Sequence, residues 1–279
     1  MYAATYGKDH ELLKNDFLKM RETASGFIDK EMIDSGFIQD QEKAKKIQSE
    51  FSKIPLYWPT PPKDEDFEII NGEQVLKEDV TSIFYQDFQN KSPINYEELN
   101  AFYMNSQIGL IMYGEDKEEF ALLPQFMLVY ESNPLTVLTV MAHEVGHKLG
   151  PQVSKINKHN LTSELAPLMK CLKKSGSIKM SQSQEDEVFA DWFSANIIAQ
   201  YIQKNYPEEQ FQSALVNSVK AFCSFEKTQD NRGNFSVDQE HPNTRMRIQG
   251  IYASNPFFKK VFGCENNSKY ISCGLKGEL

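Results

Sequence analysis

Val140-Met-Ala-His-Glu-Val-Gly-His-Lys-Leu-Gly150 is the most informative stretch of the chain. Apolar residues at Leu135, Val137, Leu138, Val140, Met141 and Leu149 predict an apolar helix that starts after Pro134. Gly150-Pro151 ends it, because neither residue continues a helix well. Within it, His143 and His147 stand four residues apart, on one helix face, with imidazoles able to converge on one ion. Glu144 is rotated by about 100° from His143. It can therefore reach a metal-bound water without itself ligating the metal. An apolar helix that buried two histidines and a glutamate without a ligand would be costly.

Two histidines do not close a catalytic zinc site, which needs three protein ligands and an open position. The spacing H-E-x-x-H-x-x-G-x-x-H would place a third histidine at 153, but Val153 stands there. A carboxylate from a later helix is the remaining choice. Glu185-Asp-Glu-Val-Phe-Ala-Asp-Trp192 offers Glu187 and Asp191 four residues apart on one face. In that reading Glu187 ligates, and Asp191 fixes a ligand histidine through its second ring nitrogen. A helix N-terminus that favours negative charge accounts equally for Glu185 and Asp186. It accounts poorly for Asp191, which sits among Phe189, Ala190, Trp192 and Phe193. Glu164 is a weaker alternative ligand.

The rest of the chain supplies context. Its 279 residues are 40% hydrophobic, 25% charged and 12% aromatic, enough for a sizeable core and unlike a disordered chain. Thirty basic against 39 acidic residues give a net charge of −9, which argues against a general nucleic-acid binder. No apolar run reaches the roughly 18–20 residues of a membrane span. Residues 1–13 lack the pattern of a signal peptide. Apolar spacing predicts helices over about 9–53, punctuated by Gly26 and Gly36, and over about 73–89, 161–174, 185–205 and 208–225. Ile54-Pro-Leu-Tyr-Trp-Pro-Thr-Pro-Pro62 reads as an extended connector. Leu99–Met104 and Ile108–Tyr113 read as two strands joined by Asn105-Ser-Gln107. The four cysteines form no C-x-x-C pair; two disulfides and buried free thiols are equally open. His10 and His159 read as surface histidines.

Four blocks, in order, resemble the neprilysin and endothelin-converting-enzyme family of zinc metallopeptidases. They are Asn100-Ala-Phe-Tyr103, His143-Glu-Val-Gly-His147, Glu187-Val-Phe-Ala-Asp191, and Asp238-Gln-Glu-His-Pro-Asn-Thr-Arg-Met-Arg-Ile-Gln-Gly250 with Phe262-Gly-Cys264. The resemblance covers about residues 96–279. It implies an α+β, mainly α fold: a gluzincin-like zinc peptidase core with a small β-sheet edge and a zinc helix, as a catalytic domain at 96–279. Residues 1–95 form an N-terminal helical segment with the Pro-rich connector. It implies one zinc ion on His143, His147 and Glu187, with Glu144 as general base and Asp191 in support. Asn100 and Ala101 would hold substrate backbone. His241 would stabilise the transition state and Arg247 would bind a substrate carbonyl, with Arg245 as competitor for that part. Phe222 either lines the pocket for the residue after the cut or belongs to the core. The departures are Trp192-Phe193 after Asp191, a different C-terminal ending, and only about 95 residues where the family has a large substrate-excluding cap.

The resemblance further implies Cys171–Cys273 and Cys223–Cys264 disulfides, and with them a periplasmic or secreted location. The expected activity is hydrolysis of a peptide or protein substrate, most simply by an endopeptidase with an open cleft. Two other functions fit the same residues: a non-cleaving metal-binding scaffold that docks a protein partner, and an aminopeptidase-type His₂Glu enzyme. Neither the oligomeric state nor the substrate is written in the sequence.

Overall fold

A computed structural model describes residues 2–52, 56–57, 67–70, 73–76, 110–113, 118–121, 130, 132–151, 160–175, 184–220, 222, 244, 247–265 and 271–278. The described part is mainly helical, with a few short strands. It divides into two compact units, one of residues 1–16 and 53–134, the other of residues 17–52 and 135–279. The boundary expected near residue 96 lies outside the described residues.

In the first unit, β1 (Leu56–Tyr57) pairs in parallel with β5 (Glu118–Ala121), which pairs antiparallel with β4 (Leu110–Tyr113). Strand β4 falls inside the expected strand Ile108–Tyr113; Leu99–Met104 lies outside the described residues. A separate hairpin joins β2 (Phe67–Ile70) to β3 (Glu73–Leu76), with Ile70 opposite Glu73. This corrects the start of the helix expected over about 73–89; residues 77–89 lie outside the described residues. Asn71-Gly72, the dipeptide between the paired ends, is a strong short-range hairpin signal.

Helix α1 (Tyr2–Phe27), which belongs to the second unit from Phe17 on, continues through a π-helical turn at Ile28–Asp34 to α2 (Gln41–Ser52). Gly26 therefore lies inside α1, while Gly36, at φ 72°, marks the break. Its backbone adopts the left-handed conformation that a side chain disfavours. The motif helix α3 runs over Pro134–His147, followed by α4 (Thr162–Ser175) and α5 (Gln184–Asn205). The expected last long helix is interrupted: a 3₁₀ turn at Glu208–Gln210, then α6 (Phe211–Ser218), a turn at Val219 and helical residues at Lys220 and Phe222, with 223–225 outside the described residues. A π-helical turn at Arg247–Ile251, a 3₁₀ turn at Tyr252–Ser254, α7 (Pro256–Val261) and the small pair β6 (Cys273–Gly274) and β7 (Gly277–Glu278) complete the described part.

Helix α5 is the centre of this unit. Every residue from Val188 to Ala195 is buried, and a helix apolar on all sides needs neighbours all round. Phe27 of α1 meets Trp192 and Phe193 edge-on, with ring centroids 5.9 and 5.7 Å away, and Phe51 of α2 lies 6.3 Å from Phe193. Part of the segment expected to stand before the catalytic domain thus belongs to the same core as the motif helix. Trp192-Phe193, a departure from the resemblance, is the surface that receives it.

The C-terminal end is tied to this core. Cys171 of α4 and Cys273 form a disulfide, the pairing expected from the resemblance. The Trp192 Nε1–H donates to the Cys273 carbonyl at 2.8 Å. Ser175 donates to the Ile271 carbonyl at 2.8 Å, and Ser272 to the Ser254 carbonyl at 2.7 Å. Cys264 is a free thiol, so the expected Cys223–Cys264 bond is not formed. Among the described residues, no helix is long and apolar enough to cross a membrane.

Candidate metal centre

The crossing of α3 and α5 builds the site. Its contact point is Gly146, inside the motif. A Cβ there would stand 3.1 Å from the Ala190 Cα and 3.1 Å from a ring carbon of Phe193. No larger residue lets the two backbones come this close. A second tie holds the crossing: Ser194 of α5 donates to the Thr139 carbonyl of α3 at 2.7 Å, both side chains fully buried. The close approach sets His143 and His147 directly against Glu187 and Asp191.

Gly146→Ala is accordingly expected to destabilise the fold. Replacing a mid-helix glycine by alanine gains about 0.5–1 kcal/mol. Crowding a filled contact costs about 1–3 kcal/mol, and here the crowded atom is backbone, which cannot rotate aside. A net loss of about 1–2 kcal/mol follows, measurable by urea denaturation. A more stable variant would show that α5 yields freely at Ala190.

Three donor groups converge at this crossing. The Nε2 atoms of His143 and His147 lie 3.2 Å apart, with the rings edge-to-face at 90°. Glu187 Oε2 is 3.2 Å from His143 Nε2, and its Oε1 is 3.4 Å from His147 Nε2. Tetrahedral zinc with bonds of about 2.0–2.1 Å has ligand atoms about 3.3–3.4 Å apart along each edge. The donor set therefore has the composition and the span of a three-ligand metal site. Glu144 has a carboxylate oxygen within 4.8 Å of both histidine nitrogens, and His143, Glu144 and His147 together form a group that could hold a metal ion. Glu187 brings a carboxylate to 3.2 and 3.4 Å from the two rings, so the histidines have two carboxylates beside them.

Burial falls off across the site, from Asp191 with a fully buried side chain, through His143 at 6% exposure, to His147 at 13% and Glu187 at 14%. The deepest member orders the rest. Asp191 Oδ1 accepts from His143 Nδ1 at 2.9 Å. That bond keeps the proton on Nδ1 and turns the lone pair of Nε2 towards the converging donors. Asp191 is in turn held by Arg247, whose Nε and Nη2 each lie 2.7 Å from its carboxylate oxygens. The guanidinium also lies over the Phe222 ring, 4.5 Å from its centroid.

Electrostatics follow from these contacts. Burial disfavours a charged His143 ring, yet the carboxylates of Asp191 and Glu187 outweigh it and push its pKa up to about 10. The field at this point favours positive charge. Burial alone would raise Asp191, but Arg247 and His143 bring it below the usual carboxylate range. Burial likewise opposes the Arg247 charge, and Asp191 overrides it, so Arg247 is held protonated more firmly than usual.

Of the expected site residues, His143, Glu144, His147, Glu187 and Asp191 are brought together. Arg247 joins them through Asp191, a partner 56 residues away in sequence that spacing could not reveal. Phe222 is buried under Arg247 and 5.2 Å from the Tyr252 ring, as core. Asn100, Ala101, His241 and Arg245 lie outside the described residues. The alternative ligands are engaged elsewhere: Glu164 accepts from Lys43 at 2.9 Å and Ser163 at 2.6 Å, and Glu185 pairs with Lys173 at 2.6 Å. Gly146 and Ser194 were not anticipated as shaping the site. The short side chain one residue before His147 is the only sequence signal of the crossing.

No family model, curated protein or solved structure matches this chain.

Proposed function

We propose that this chain is a zinc-dependent peptidase, with zinc on His143, His147 and Glu187. The observation that carries the reading is the set of ligand-edge distances among those three side chains, with Asp191 fixing the His143 tautomer. Bound there, zinc would supply Lewis acidity and a water acidified to a pKa of about 7. Glu144 takes the proton of the attacking water and passes it to the leaving amine. It is suited to this because the helix turns it about 100° away from His143. Asp191 and Arg247 act as a buried support that holds His143 in one orientation. His241 as oxyanion donor, and Asn100 and Ala101 as the strand that pairs with extended substrate, enter from the resemblance to neprilysin-type peptidases. The Cys171–Cys273 bond accords with a periplasmic or secreted protein.

The test is a digest of a mixed peptide library by the zinc-loaded full chain, analysed by mass spectrometry, with half of the library blocked at the amino terminus. Cleavage of free and blocked peptides alike, abolished by a chelator and restored by zinc, is the expected result. Cleavage of free termini alone would make the protein an aminopeptidase. Stoichiometric zinc with no cleavage would make it a metal-binding scaffold.

A further inference from the structure

Away from the His143 cluster, the last turns of α1 and the far half of α5 border an open pocket of about 510 Å³. Small-molecule sites commonly span about 300–1,000 Å³. Glu22, Ser25, Gly26 and Asp29 line one side, and Gln200 and Lys204 the other. Gly26 leaves this wall set back, since no heavy atom stands within 4 Å of where its Cβ would be. Asp29 sits at the start of the π-helical turn that follows α1, and such widened turns recur at functional sites.

The charges of the pocket are unevenly matched. Lys204 Nζ lies 3.2 Å from Glu22 Oε1, so these two satisfy one another. Asp29 is different. Its Oδ1 is buried and accepts no hydrogen bond among the described residues. Buried acceptors nearly always have a donor, because stripping water from one without replacing it is costly. A carboxylate acceptor calls for a donor that also carries positive charge. A divalent metal fits poorly, since it needs several oxygen ligands and, of the two carboxylates that line the pocket, Glu22 is already engaged by Lys204. An anion is disfavoured by Asp29 itself.

We propose that this pocket binds a small organic cation, a primary ammonium or guanidinium group that donates N–H bonds to Asp29. The source can be a free amine or the side chain of a lysine or arginine in a peptide. The proposal is independent of the peptidase reading, as the pocket shares no residue with the His143 cluster.

The test is a titration of the full chain, followed by amide NMR shifts and calorimetry. The probes are spermidine, methylguanidinium and doubly blocked lysine, with calcium chloride and inorganic phosphate as comparisons. Binding that moves the amides of Ser25–Asp29 and Gln200–Lys204 is expected. Saturation by spermidine or methylguanidinium alone assigns a free cation; saturation by blocked lysine as well assigns a peptide side chain. Asp29→Asn, which keeps the shape and removes the charge, should weaken binding about tenfold or more. Gly26→Met should block it by filling the open wall, since a Cβ at this helical position meets no heavy atom within 4 Å. Equal affinity of Asp29→Asn and the natural chain would overturn the proposal. So would tighter binding of calcium at the same amides, or no binding by any of the three cations.

Discussion

Glu144→Gln is expected to retain zinc and to lose peptide hydrolysis by roughly 10²–10⁴-fold. The argument rests on where Glu144 stands. It is one residue after His143 on α3, so its side chain leaves the helix about 100° away from the ligand face. Glu187 supplies a carboxylate 3.2 and 3.4 Å from the two histidine nitrogens, which leaves Glu144 available for the water. Removing its charge should therefore leave the metal's own ligands intact. The amide retains the size of the side chain and cannot accept a proton at neutral pH. Metal content and library digestion, run on one preparation, separate the two effects. Full residual activity would rule out a base at this position. A parallel loss of zinc would instead place Glu144 among the ligands.

What could be read before the structure divides along physical lines. Spacing within one helix was legible: His143 with His147, and Glu187 with Asp191, each four apart, lie as their periodicity requires. The boundaries of α3 and α5 followed from Pro134, Gly150 and the acidic first turn of α5. The contact of α5 with α3 is legible from the missing third ligand and from the placing of Asp191 among apolar residues; that of Arg247 with Asp191 is not. Nothing local marks Arg247 as the partner of Asp191, because an ion pair that closes over 56 residues leaves no periodic trace. Gly146 is the reverse case, a visible residue whose meaning depends on which helix crosses it. The β2–β3 hairpin was missed because a two-residue signal, Asn71-Gly72, competed with a longer helical pattern. Residues 17–52 were placed outside the catalytic core because a front segment and a core helix share the same amphipathic spacing. Only the packing of Phe27 and Phe51 on Phe193 distinguishes them.

Glu187→Gln carries the second large effect, on metal binding. Zinc prefers an anionic oxygen ligand, and the amide substitutes a neutral carbonyl at the same place. Loss of a mere supporting partner weakens metal sites by about 10–100-fold, and loss of a ligand's charge should do at least as much. The fold should survive, since Glu187 is in the first turn of α5 and partly exposed. Its contribution there is the favourable charge at a helix N-terminus, about 0.3–1 kcal/mol. Competition with a chromophoric chelator reads the affinity. Thermal unfolding gives an independent measure through linkage. At zinc one hundred times the natural dissociation constant, binding adds about 2.7 kcal/mol of stability; a hundredfold weaker site adds only about 0.4 kcal/mol. Glu164→Gln and Glu185→Gln serve as controls, since their carboxylates rest on Lys43 and Lys173. They should leave zinc affinity unchanged. If Glu187→Gln keeps its zinc while one of those two loses it, the third ligand lies elsewhere. The crossing of α3 and α5 would then hold the histidines without completing their site.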